Sequence, residues 1–309
     1  MTVAAYPHWY ILGAGAIGCL WGGQLFRSDI PSTFLVRPER LNNNTPSPVL
    51  CITENQQRTE FPIDIQSIAT EVSIQNLIIT TKAGDALPAL NAIADNLTSD
   101  ATILLLQNGM GSQQQIAELF PQYAVYAGST TDGAWLESFL NIHRAGRGKT
   151  WLGPLNPRAK EFGHYSAINS LTKITDIDVT FVDNITEKLQ EKLAINSAIN
   201  GLAVLHDCPN GSLLEGALQK QVQNLCTETA QILSADSYTI TAERLLETVN
   251  HVLKVTAENI NSSLQDVRNN RTTELNWING YLLTRAQKHG IAAPAHKQLI
   301  QALADKDIH

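Results

Sequence analysis

The sequence is short of positive charge and of sulfur. Its 22 lysines and arginines are outnumbered by 29 acids, for a formal net charge of -7, so the composition offers no cationic face to a nucleic-acid backbone or an anionic membrane surface. Four cysteines, Cys19, Cys51, Cys208 and Cys226, lie far apart with no C-x-x-C pair. That argues against a disulfide framework or a zinc centre and for reduced thiols in a cytoplasmic protein. Long uninterrupted apolar runs are missing too. The nearest approach, residues 9–26, is broken by five glycines and has no basic segment ahead of it, so it reads as strand, turn and helix rather than as a signal peptide or membrane span. Low-complexity tracts, internal repeats and blocks of like charge are absent, and nothing suggests a disordered tail.

What is present is the composition of a globular protein. A chain of 309 residues with 43% hydrophobic and 17% charged residues is long enough for two domains that need no disulfide or structural metal. Residues 1–182 alternate β-rich runs with helical stretches, the rhythm of a parallel sheet covered by helices. Strands are expected at Trp9–Leu12, Ser32–Val36, Leu77–Thr81, Ile103–Leu106 and Val125–Ala127, with crossover helices at Leu87–Leu97 and Ser112–Phe120. Between Trp135 and Phe181, two β-like runs around a Gly-rich turn and a further strand in DIDVTFVD are expected to extend that sheet. Residues 183–309 lose all strand signals. Helices are predicted over Ile185–Leu205, Ala217–Ala235, Ala242–Ser262, Thr273–His289 and Pro294–Ala304. The expected architecture is an α/β Rossmann-type domain with a parallel-rich sheet, followed by an all-α domain.

The most specific motif is ILGAGAIG. Gly13, Gly15 and Gly18 stand in G-x-G-x-x-G spacing directly after a strand and before a helix. There the first glycine permits the tight turn, the second lets the backbone approach a pyrophosphate, and the third lets helix and strand pack closely. A close-packed turn without a ligand is the bland alternative. The second strand ends in Arg37, with Arg40 close behind, where a carboxylate would mark a free ribose hydroxyl and a cation marks a 2′-phosphate. This points to NADP(H). Lys82 stands at the end of another parallel strand, where ligands of open α/β sheets collect; taken alone it is a solvated charge. Asn108, in QNGMG, is first a turn residue, yet its amide is also placed to meet the nicotinamide end of a cofactor.

In the helical half, Lys192, Asn196 and Asn200 recur every four residues and share one face of a largely apolar helix. Either an internal hydrogen-bond network or a polar ligand must satisfy them. Hydride delivery to a ketone develops negative charge on its oxygen, and Lys192 is the residue type that both stabilises that charge and donates the proton. Partial burial lowers a lysine pKa from about 10.4 towards working pH. Further on, Asn259, Ser262 and Glu274 are polar candidates. Ser262 reads as a helix cap or as a donor to a substrate carboxylate, and Glu274 as support for a helix start or as a partner that orients Lys192.

Taken in order, GAGAIG, LVRPER, TTKAG, QNGMG, EKLAINSAINGL, CPNG, AENINSS and TELNWINGYLL resemble the ketopantoate reductase family across nearly the whole chain. The resemblance implies NADPH-dependent reduction of 2-dehydropantoate to pantoate, on the route to pantothenate and coenzyme A, and a helical domain like that of 6-phosphogluconate dehydrogenase. It implies cofactor contacts at Gly13, Ala14, Gly15, Ala16, Ile17, Gly18, Arg37, Lys82, Asn108, Ala134 and Glu274. Lys192 becomes the proton donor, assisted by Glu274. Asn108, Lys192, Asn196, Asn200, Asn210 and Ser262, with Asn259 beside them, become the substrate contacts. No metal is expected, and the partner is a small 2-keto acid acting on a monomer or homodimer. Two carboxylates depart from the family pattern, Asp85 in TTKAGD and Asp132 in STTDGA. Near bound phosphates either would weaken cofactor binding unless it points away. A related 2-keto or β-hydroxy acid oxidoreductase, or a noncatalytic NADP(H) sensor, are the competing readings.

Overall fold

A computed structural model describes residues 6–41, 48–162 and 167–308. The chain divides into two compact units. The first comprises residues 1–107 and 112–186, the second 108–111 and 187–309. The main division falls in the first turn of a helix, and a four-residue segment of the N-terminal half belongs with the helical unit.

The elements of the first unit run β1 (Trp9–Leu12), α1 (Ala16–Arg27), β2 (Ser32–Val36), β3 (Val49–Glu54), β4 (Gln57–Pro62), β5 (Asp64–Ser67), β6 (Ile74–Ile79), α2 (Ala83–Asn91), β7 (Leu97–Leu105), α3 (Ser112–Leu119), β8 (Ala124–Thr130), β9 (Gly133–Ser138), β10 (Asn141–Gly146), β11 (Lys149–Pro154), α4 (Pro157–Phe162), α5 (Ile168–Leu171) and β12 (Asp178–Phe181). Eight strands form one sheet in the order β12-β11-β8-β7-β6-β1-β2-β5. All its neighbours pair in parallel except β11 with β8. From β1 the chain winds outward through β2 to β5 and then returns to β6 on the other side of β1. The crevice between β1 and β6 is thus the topological switch point at which such sheets bind ligands. The near-continuous apolar runs of β6, β7 and β8 follow from burial on both faces, with Leu77, Ile78, Ile103, Leu104 and Val125 shut off from solvent.

Two expectations need correction here. The run Leu87–Leu97 is not a helix as a whole: α2 begins directly after Lys82 and ends at Asn91, and Leu97 already opens β7. Pro88 lies inside α2 and deprives it of one internal hydrogen bond. Nor do all the later strands extend the main sheet. β9 and β10 join β3 and β4, two strands that periodicity had not indicated, in a separate sheet of order β4-β3-β10-β9, whose inner residues Leu50, Ile52, Phe61 and Ile142 share a core with Leu20, Trp21 and Leu25 of α1.

The second unit holds α6 (Ile185–His206), α7 (Gly216–Ala235), α8 (Ala242–Val255), α9 (Ser262–Arg268), α10 (Leu275–His289) and α11 (Pro294–Ala304). The stretch Ala242–Ser262 expected as one helix is two, since α8 stops at Val255 and α9 starts afresh at Ser262 behind its own cap, Asn261. Leu193, Ile199, Val222, Ile232, Leu282 and Leu299 are among its buried apolar residues. No described helix is long and apolar enough to cross a membrane.

Candidate active site

In the first unit the three glycines have separate physical jobs. Gly13 adopts φ +112°, in the region that favours glycine, and a Cβ on it would stand 3.0 Å from the Thr81 amide nitrogen. A Cβ on Gly18 would come within 2.2 Å of the Gly13 carbonyl oxygen, so only glycine lets α1 lie this close to the turn. Around Gly15, by contrast, nothing approaches nearer than the Thr80 carbonyl oxygen at 3.9 Å. Thr80 Oγ1 donates to the Gly13 carbonyl at 2.7 Å and ties β6 to the turn across the switch point. Its role was not foreseen, although it sits in the quoted TTKAG run.

The N-terminus of α1 fits an anion. Gly15 is the N-cap, no side chain caps it, and no acid occupies the first turn. Its first amide hydrogens therefore have no intrahelical acceptor, and the helix dipole adds positive potential there. Ala14, Ala16 and Ile17 fill the turn between the glycines without adding charge. Arg37 follows β2, is exposed and has no ion pair among the described residues. Arg40 instead lies over the Phe139 ring, 5.6 Å from its centroid. Lys82 is the N-cap residue of α2. A cradle open at Gly15, an uncapped helix start and an unpaired guanidinium fit a phosphorylated dinucleotide. Ala134 lies on β9 opposite Arg144 of β10.

Of the two departing carboxylates, Asp132 is neutralised internally. Asp132 is buried: its Oδ1 accepts from Arg144 Nη2 at 2.6 Å and from the Gly148 amide at 3.2 Å, and its Oδ2 accepts from Thr130 Oγ1 at 3.2 Å. Arg144 also donates to the Asp176 carbonyl, while Arg147 forks onto Glu54 with two bonds of 2.7 Å and reaches Asp176 at 2.6 Å. Asp85 is exposed in the first turn of α2, where the dipole favours it.

In the second unit Lys192 on α6, Asn108 and Glu274 form one chain of hydrogen bonds. Lys192 Nζ donates to Asn108 Oδ1 at 2.6 Å, and Asn108 Nδ2 donates to Glu274 Oε2 at 2.8 Å. The amide is oriented by its neighbours, because only its oxygen can meet an ammonium and only its nitrogen can meet a carboxylate. Glu274 is buried at the N-cap position of α10, but its side chain does not cap the helix. Burial pulls the Lys192 pKa down to about 8, and the Glu274 carboxylate opposes part of that fall. A cation that can give up its proton near neutrality is thereby held by an amide oxygen, and the same amide is anchored on its far side by a carboxylate.

One and two turns further along α6, Asn196 and Asn200 have no side-chain hydrogen-bond partner among the described residues, although Asn200 is buried. The remaining candidates are placed differently. Asn210 is spent internally, donating to Thr256 Oγ1 at 3.0 Å and accepting from Asn261 Nδ2 at 3.4 Å. Asn259 is exposed, with its carbonyl accepting from the Asn210 amide at 3.1 Å. Ser262 is exposed in the first turn of α9 and caps nothing; Asn261 Oδ1 does so, accepting from the Leu264 amide at 3.0 Å. Besides Thr80, sequence reasoning missed Trp277, whose main-chain carbonyl accepts from the Met110 amide at 2.9 Å. No feature of the TELNWING segment signals such a contact. No cluster of metal-ligating side chains occurs among the described residues.

These features coincide with known proteins. Residues 9–157 match the family described as ketopantoate reductase PanE/ApbA, and residues 184–307 match its C-terminal counterpart. A 2-dehydropantoate 2-reductase of Escherichia coli is 32% identical over 302 residues, covering 96% of this chain and 94% of that one. In fold the chain resembles the ternary structure of D-mandelate dehydrogenase with NADH and anilino(oxo)acetate (TM-score 0.87, 22% identity, 98% of this chain and 100% of that chain). A PanE/ApbA family ketopantoate reductase from Ralstonia eutropha is similar to the same degree (TM-score 0.85, 21% identity, 98% and 100%). With both family halves matched in order and a relative above 30% identity along nearly its whole length, the chain belongs to the ketopantoate reductase family.

Proposed function

We propose that the protein is an NADPH-dependent 2-dehydropantoate 2-reductase. The observation that carries the reading is the Lys192–Asn108–Glu274 chain, which holds a proton-donating cation with its pKa near 8. Gly13 to Gly18 and the start of α1 would hold the pyrophosphate of the cofactor, Arg37 would pair with its 2′-phosphate, and Lys82, Asn108, Ala134 and Glu274 would be its further contacts. The bound cofactor supplies the hydride, which no side chain of this chain can do. Lys192 gives its proton to the oxygen of the C2 carbonyl as that carbon is reduced, so that the ketone becomes a secondary alcohol and the lysine is left as a neutral amine that solvent reprotonates. Asn196 and Asn200 turn their amides to the substrate's hydroxyl and carboxylate. Ser262 and Asn259 are accessible to it, while Asn210 contributes by holding the Asn259–Asn261 segment. The substrate is a small 2-keto acid, the product pantoate enters pantothenate synthesis, and the enzyme works in the cytoplasm as a monomer or homodimer.

Consumption of NADPH with ketopantoate, followed at 340 nm, tests the reading against a panel of other 2-keto acids and against NADH. Ketopantoate is expected to be turned over fastest. NADPH is expected to be preferred by at least about tenfold, the size of one charge-assisted hydrogen bond at Arg37. Rapid turnover of another keto acid with none of ketopantoate would move the protein to a sister activity, and equal use of NADH would remove the role given to Arg37. Cofactor binding with no turnover of any acid would leave a sensor.

A further inference from the structure

We propose that Gly109, Met110 and Trp277 are positioning residues: a backbone clasp between the Asn108–Gly111 segment and α10 sets where Asn108, and through it the Lys192 ammonium, is held. This rests on the reading of Lys192 as the proton donor. Asn108 joins side chains from two helices, but it belongs to neither and is followed by two glycines that restrict nothing by themselves. Something else must fix its backbone. The Met110 amide donates to the Trp277 carbonyl at 2.9 Å, and the Met110 side chain is buried. Gly109 at φ +76° lies so close to the Trp277 main chain that a Cβ would stand 2.4 Å from its carbonyl oxygen and 2.7 Å from its carbonyl carbon. Gly111 at φ +109° faces the Trp277 and Tyr281 rings, with 3.3 Å left for a Cβ. The Trp277 amide in turn donates to the Glu274 carbonyl at 2.9 Å. The clasp and the carboxylate that accepts from Asn108 are therefore one turn of the same helix. The whole arrangement lies within the helical unit, so the segment is held where the proton donor is.

The contact at Gly109 is backbone against backbone and cannot yield by a rotamer change. Gly109→Ala therefore displaces the segment, and a displacement on the order of 1 Å at a positioned group costs up to about a hundredfold in rate. The test compares wild type, Gly109→Ala, Asn108→Ala and the double variant in the full chain, with kcat for ketopantoate reduction and the NMR titration of the Lys192 ammonium as readouts. Gly109→Ala is expected to lower kcat by about 10- to 100-fold. In the Asn108→Ala background the same change is expected to cost less than about twofold, because the two act through one another. The titration, which needs no turnover, is expected to rise from about 8 towards 10.5 as water reaches the amine. Unchanged kcat, additive losses or an unmoved titration in a folded Gly109→Ala protein overturns the clasp. If Gly109→Ala does not fold, Gly111→Ala, which strains the other end of the same segment at φ +109° and presses a Cβ to 3.3 Å from the Trp277 and Tyr281 rings, is expected to shift the titration in the same direction, and an unmoved titration there overturns the proposal equally. If wild type reduces no keto acid, the functional reading fails, and the titration alone decides the clasp.

Discussion

At the scale of single residues, the chemistry rests on a balance between burial and charge at Lys192. Burial favours the neutral amine, Glu274 favours the ammonium, and the outcome is a pKa of about 8 rather than 10.5. Because the protonated form is the acid, turnover is expected to be level below pH 8 and to fall about tenfold per unit above it; a pH–rate profile in the reducing direction checks the limb. Lys192→Ala is expected to lose roughly 10²- to 10⁴-fold in kcat and the limb with it. The spacing of Lys192, Asn196 and Asn200 made this helix face legible from the sequence, as did the glycine turn and Arg37. What could not be read is how each amide is spent. Asn200 and Asn210 look alike as letters, yet the first keeps its amide unpartnered and the second is bonded to Thr256 and Asn261. Asp132 looked like a threat to phosphate binding until Arg144, 12 residues on in β10, proved to neutralise it.

Helices and strands show the same division. Four helices of the second unit are joined by a buried polar knot: Asn279 of α10 donates through Nδ2 both to the Ser197 carbonyl of α6 at 2.7 Å and to His296 Nδ1 of α11 at 3.1 Å. With Nδ1 an acceptor, His296 Nε2 carries the hydrogen and meets Thr229 Oγ1 of α7 at 2.9 Å, and that hydroxyl lies 3.1 Å from Ser197 Oγ, which donates onward to the Ala194 carbonyl. The imidazole also has a backbone hydrogen bond to Leu225, which favours its charged form, but desolvation outweighs it. Burial accordingly holds the His296 pKa near 4, below its usual 6.5. The unfolded chain then binds a proton that the folded chain refuses, so this group's contribution is complete above pH 6.5 and drains away as pH falls to 4. A loss on the order of 3 kcal/mol is expected over that window; denaturant melts at pH 7 and pH 4.5 on wild type and His296→Gln check it, the variant losing less. Long helices announced themselves by period. The small sheet did not, because β4 is exposed along most of its length and carries no alternation. Its hairpins also use unexpected turn residues: Gln56 at φ 65° follows Asn55 between β3 and β4, and Leu140 at φ 61° helps join β9 to β10, where a glycine would have been the signal.

For the molecule as a whole, two units with separate cores should melt as two cooperative blocks. Adenosine 2′,5′-bisphosphate, which carries the cofactor's 2′-phosphate and the adenosine-side phosphate of its pyrophosphate but no nicotinamide, is expected to stabilise the block that contains the glycine turn. At a hundred times its dissociation constant the gain is about 2.7 kcal/mol. Scanning calorimetry of the full chain should show one transition moving up and the other unmoved, with the shift largely lost in Arg37→Ala. Assembly in time is a different matter. The ladder between β3 and β10 pairs Cys51 with Asn141, 90 residues later. During synthesis at roughly 5 to 20 residues per second, one margin of β3 stays bare for several seconds or more. An open strand margin is a template for foreign chains, so nascent protein is most exposed to aggregation before Gly146 leaves the ribosome.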